Sequence, residues 1–261
     1  MHLAVARELA DSQDPSVKHQ FRSRKQNPRG SQTKLYLETR DAMVGMVIAY
    51  DDRPVTPAEL GGEEARLQGL IDHPELLRRK QDQEKIDTER TLRILKALPD
   101  AFLYEYDGTE TATAEFGKAG EPLARLKFHP NPKYSPPSRV EQVLVGMQGI
   151  MLIDAARLRI AKIDGTLFRD MGFGWGILGR LDKGGHLQVL QCDVGDGTWQ
   201  ITRMSMSFSG KILLFKSFTY VMDEMFSDFR RVPADTTFAQ GVGMLKAEQS
   251  KLAQNSAGRS H

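Results

Sequence analysis

The sequence predicts an α+β fold: a large, strongly curved antiparallel sheet of roughly 10–13 strands, with helices packed on one side of it. Three observations carry this. Turn signals recur at Asp107-Gly108, Asp164-Gly165, Asp182 to Gly185, Gly195 to Gly197 and Ser209-Gly210, with strand-forming residues filling the intervals. A shorter meander of the same kind lies near the N-terminus. Between the two, the apolar spacing changes to that of helices.

Taken in order, Val17 to Lys25 is a strand that leads into a turn at Asn27 to Ser31, where Pro28 and Gly30 supply the dihedrals. Gln32 to Arg40 alternates Leu35 and Leu37 against Lys34, Tyr36 and Glu38, and Met43 to Tyr50 is a third strand, so residues 17–55 form the meander. A helical segment, 56–98, follows. Thr56-Pro57-Ala58-Glu59 combines a capping Thr, Pro in the first helical position and Glu in the third, which starts a helix that runs to about Asp72. His73-Pro74 breaks and restarts the chain. The helix 74–98 is densely charged, with Leu76 and Leu77 at one end, Leu92, Ile94, Leu95 and Leu98 at the other, and only Ile86 between. It is expected to dock at both ends and to keep a wet middle or receive a partner there.

From 99 to 235 the pattern is β, with strands near 101–107, 109–116, 122–128, 149–155, 157–165, 168–181, 185–193, 197–208, 211–221 and 223–231. A helix over Pro137 to Gly146 interrupts them. Residues 236–261 read as a C-terminal tail, and 1–261 as a single domain.

Composition narrows the function. The 261 residues carry 36 Lys+Arg against 34 Asp+Glu in interspersed order, which argues against a nucleic-acid partner. Cys192 is alone, so no intramolecular disulfide forms. The longest near-apolar run, Val143 to Ile153, falls short of the roughly 20 residues of a spanning helix. Polar helices and the lack of a clean apolar-out, polar-in dyad argue against an outer-membrane barrel. The start, Met1 to Glu8, has no basic and apolar signal regions, so the chain as given reads as cytosolic or as a secreted protein already trimmed.

No catalytic constellation stands out. Gly174 to Gly179 fits G-x-G-x-x-G, but a turn and a strand follow where a phosphate site needs a helix N-terminus. The six histidines lack metal-ligand spacing, and no nucleophile has an activating partner. Asp223, Glu224, Asp228, Arg230 and Arg231 read as surface or edge-strand charges. The expectation is a protein that is not an enzyme, with no cofactor and no metal.

The β region is instead rich in soft apolar residues. Ile212 to Phe215 would place apolar side chains on both faces of a strand, which predicts two apolar faces: one against helices, the other lining a cavity or closing on itself. Methionine suits either an adaptable cavity or an irregular core.

Pro136 to Glu141, Gly146 to Gly149, Ile153 to Ala155, Arg157-Leu158 and Ile163 to Gly165 resemble the outer-membrane lipoprotein-sorting carriers of the LolA/LolB type and their sensor relatives. Phe173 to Arg180, Asp196 to Trp199, Leu213 to Lys216 and Phe226 to Arg231 continue the similarity, which covers residues 100 to 235. The resemblance implies a periplasmic half-barrel, closed by helices, that holds a lipid or lipoprotein acyl chain and makes transient contact with a membrane surface. The alternative it leaves is an envelope-sensor or protein-interaction module that meets an envelope protein through helix 74–98. Bulky apolar residues of adjacent predicted strands are the candidate lining: Met151, Ile153, Phe173, Trp175, Ile177, Met204, Met206, Leu213 and Phe215.

Overall fold

The computed structural model describes residues 1–173, 179–195, 197–212 and 216–257. Helix α1 (His2–Ser12) opens the chain, followed by strands β1 (Lys18–Asn27), β2 (Gly30–Leu37), β3 (Val44–Tyr50) and β4 (Arg53–Pro54). Helices α2 (Pro57–Asp72) and α3 (Pro74–Ala101) lead to β5 (Phe102–Thr111), β6 (Pro122–Pro130) and a 3-10 helix (Glu141–Gly146). Then come β7 (Met147–Asp154), β8 (Arg159–Leu167), β9 (Met171–Phe173), β10 (Gly179–Leu181), β11 (His186–Asp193), β12 (Trp199–Ile212), β13 (Lys216–Val232) and α4 (Phe238–Ala257).

The strands form an antiparallel sheet of 13 strands in the order β4-β3-β2-β1-β13-β12-β11-β8-β7-β6-β5, with β10 paired to β12 and β9 to β10. That order has two ends, so the sheet is open rather than a closed barrel. The class is α+β, as the pattern predicts. Residues group into two compact units, 1–13 with 88–225 and 14–87 with 226–261.

In the second unit, the alternation along β2 and β3 buries Leu35, Leu37, Val44 and Met46 with Leu67 of α2 and with Phe238, Val242 and Leu245 of α4. Thr56 and Glu59 complete the capping box at the start of α2. The segment read as a tail is therefore a helix. Its glycines disguised it: a Cβ at Gly241 would lie 2.9 Å from Thr39 Cγ2 and 3.0 Å from Val44 Cγ2, so that glycine lets the helix approach the strands rather than ending it.

The first unit is built on β5 to β12 and the start of β13. A turn falls at 182–185 as expected, and Gly195 and Gly197, on either side of a residue outside the description, have positive φ between β11 and β12, but three other signals mislead. Asp107-Gly108 is a bulge within β5, and Asp164-Gly165 and Ser209-Gly210 lie inside β8 and β12. Gly165 is there for space, since its Cβ would meet Met147 Cε at 2.7 Å and Phe128 Cζ at 3.2 Å. The strands expected at 109–116 and at 211–221 and 223–231 become, respectively, the end of β5 with a loop and the single strand β13. The helix expected over 137–146 is the 3-10 helix from Glu141, and the strand expected at 168–181 is represented by β9 and β10.

Candidate binding face

Register aligns one apolar row across the first unit. Tyr106 pairs with Leu126, Leu126 with Met151, and Met151 with Ile163. Ile163 pairs with Val189, and Val189 with Met204. Directly opposed residues share a face, so these side chains stand on one side of the sheet. A parallel row runs through Phe128, Gly149, Gly165, Leu187, Met206 and Met222.

The other face is polar along much of its length and apolar at one end, so the expectation of two apolar faces holds only in part. Its residues are Lys127, Asp164, Gln188, Ser205 and Asp223, interrupted by Ile150. Asp107 binds Lys127 at 2.6 Å and Arg125 at 3.0 Å. Although burial pushes the Asp164 carboxyl up, hydrogen bonds from His186, Gln188 and Lys162 hold it below the usual carboxylate range. Ser205 and Arg203 converge on Asp223. Only one end of this face is apolar, where Leu152, Ala161, Leu190 and Trp199 pack with Phe116 and Leu123. Charged and polar residues in the middle of this face leave the Met151 face as the longer continuous apolar one.

Over the β5 to β8 part of that face, α1 and the second half of α3 supply the cover. Ala4, Val5, Leu98 and Ala101 join Phe128, Met147, Met151, Ile153 and Ile160 in one core, with Leu9 and Leu95 at its margin. Alanine and valine let α1 sit close to the strands. The sequence reading passed over this helix, although six of its eleven residues are Leu, Val or Ala.

A buried charge cluster fastens α1. Glu8 accepts a hydrogen bond from the Ile160 N–H at 2.9 Å and lies 3.4 Å from Arg159 Nη2, while Asp11 pairs with Arg159 Nη1. The guanidinium stands 5.7 Å from the centroid of the Trp199 ring. Burial pushes the Glu8 carboxyl above the usual glutamate range, and the Ile160 amide and Arg159 oppose that only in part. An acid raised on folding adds stability below its unfolded pKa and loses that contribution as pH rises through the folded value. The stability of the native chain relative to Glu8→Gln should therefore fall as pH rises from about 4 to 7. Denaturant melts of both proteins across that range check the sign.

Of the candidate lining residues, Met151 and Ile153 are 0% and 7% exposed and belong to the helix-covered core. Met204 and Met206 are half-buried on the same face, toward β12. Phe173 pairs with Gly179 in β9 and β10, though the description does not extend to its side chain. Trp175, Ile177, Leu213 and Phe215 lie outside the described residues. The sequence reading missed Leu187, Val189 and Met222, which only register places beside the two methionines, and it missed Glu8 and Arg159.

Two open grooves lie elsewhere in the first unit. One of about 620 Å³ runs beside Leu92, Arg93, Lys96 and Ala97 of α3, with Tyr134 and Glu141 opposite. The other, about 710 Å³, lies among Lys133, Tyr134, Gln148, Phe168 and Arg169. Both are lined by mixed polar and apolar groups. Among the described residues, no helix is long and apolar enough to cross a membrane, and no group of His, Cys, Asp and Glu could hold a metal ion.

No family model and no curated protein matches the chain. Among solved structures, the chain is similar to a domain from Vibrio parahaemolyticus described as an outer membrane lipoprotein-sorting protein. Identity is 11% and the TM-score 0.32, over 88% of this chain and 91% of that one. It is also similar to a DUF1329 family protein from Desulfovibrio piger ATCC 29098, at 9% identity and TM-score 0.27, over 88% and 90% of the two chains.

Proposed function

We propose that the protein is a noncatalytic periplasmic binding protein that lays a lipid or lipoprotein acyl chain along the apolar face of its first unit. The observation that carries this reading is the continuation of the apolar row beyond its helical cover. Met151 is fully buried, whereas Val189, Met204 and Met206, in register with it or beside it, remain half-buried. Each methylene sheltered there contributes about 0.8 kcal/mol, and the methionine thioethers adapt to a flexible chain. Ala4, Val5 and Leu9 pack on the same core as Met151, Ile153 and Ile160, so an acyl chain laid there competes with them for β7 and β8.

A test uses the double variant Met204→Glu with Met206→Glu and a fluorescent fatty-acyl probe. Both positions are half-buried, so the fold should survive, and a thermal melt checks it. Two carboxylates on the row should weaken probe binding at least about tenfold. Unchanged affinity in a folded variant would overturn the reading.

A second reading is favoured by the 620 Å³ groove beside α3, whose Arg93, Lys96, Glu89 and Asp100 offer mixed charge to an envelope protein. Charge reversal at Glu89, Arg93 and Lys96 that abolished a protein complex and spared acyl binding would support it.

A further inference from the structure

Resting on the acyl-binding reading, we infer that Arg159 and the Ile160 amide form a carboxylate seat at the end of the apolar face, occupied by Glu8 from α1, and that the ligand it takes is a long-chain fatty acid.

The seat is made by a local opening of the sheet. The β8–β11 ladder ends at Lys162 and Leu190, and the β7–β8 register shifts between Leu152 and Ile153, so the Ile160 N–H lies beyond the β11 ladder and turns to Glu8. Arg159 stands beside it with its side chain only 4% exposed. Burying a guanidinium is costly unless anions meet it, and α1 meets it with Glu8 and Asp11. The match is incomplete. Among the described residues, Arg159 Nε is buried and has no hydrogen-bond partner, so the site offers more donors than α1 satisfies. A guanidinium edge next to a backbone N–H suits a carboxylate, which can accept from both at once.

The layout of α1 points to the same ligand. It presents a carboxylate to Arg159 and, alongside, Ala4, Val5 and Leu9 to Met151, Ile153 and Ile160. A fatty acid has that order of parts, an anionic head followed by methylenes. The helix thus stands in for the ligand, and the two compete for one place.

Isothermal titration of the full chain with palmitate and with methyl palmitate tests this. The native protein should prefer palmitate about tenfold, the scale of one charge-assisted contact. Glu8→Gln, which takes the internal carboxylate away from Arg159, should bind both ligands more tightly and keep the preference for palmitate. Arg159→Gln should bind both alike, and Arg159→Lys should keep a weakened preference. If Arg159→Gln does not fold, the Glu8→Gln comparison carries the result. Equal binding of acid and ester by both the native protein and Glu8→Gln would overturn the seat while leaving the acyl reading standing. Binding of neither ligand by any variant would overturn the acyl reading itself.

Discussion

Gly149→Ala should destabilise the protein by about 3 kcal/mol or more, a cost at the upper end of overpacking effects. The added Cβ would lie 2.0 Å from the Asp164 carbonyl oxygen and 2.8 Å from the Gly165 Cα. Both atoms are backbone of β8, so no side-chain rotation relieves the clash, and the two strands must separate where Gly149 pairs with Gly165. The same change at Gly243, inside α4 with nothing within 4 Å of its Cβ, should instead stabilise by about 0.5–1 kcal/mol through helix propensity. Denaturant midpoints of the two variants should move in opposite directions. A Gly149→Ala midpoint equal to that of the native protein would mean that β7 and β8 do not meet as closely as described.

The second large effect is expected at Arg159. Arg159→Leu removes the cation that meets Glu8 and Asp11 and leaves the Glu8 carboxylate, 8% exposed, facing apolar side chains. Breaking a buried pair from one side costs about 3–5 kcal/mol, and protonation of Glu8 returns part of this at low pH. The loss should concentrate in α1. Hydrogen exchange at amides 5–12 should accelerate far more than exchange in β7, and Arg159→Leu combined with Glu8→Leu should recover most of the stability, since no buried charge is then stranded. Uniform acceleration across the first unit, with no rescue by the double variant, would show that the pair does not act as a latch.

Much of the fold was legible because local chemistry was sufficient for it. The alternation in β2, the capping box at Thr56 and the turns at 182–185 each need only neighbouring residues. Glycine defeated the reading wherever its role was spatial. Gly165 and Gly210 looked like turns and proved to be points of close approach within strands, and Gly241 hid a helix. Face assignment held only in part for a related reason. The polar ladder through Asp164, Gln188, Ser205 and Asp223 exists only once the registers of four strands are known. For the candidate site, Met151, Ile153, Met204 and Met206 were visible as bulky apolar residues of strands, whereas the contact between Glu8 and Ile160 joins residues 152 positions apart and leaves no local trace. A glutamate that stands between Arg7 and Leu9 in a short helix carries no sign that it will be buried.

Native mass spectrometry of the full chain, purified without detergent and then offered palmitate, tests most directly whether the apolar face accepts an acyl chain. The expected spectrum shows a one-to-one adduct, present on purification or formed on addition, that diminishes in the Met204→Glu, Met206→Glu variant. A native protein that stays unliganded at every palmitate concentration would contradict the account.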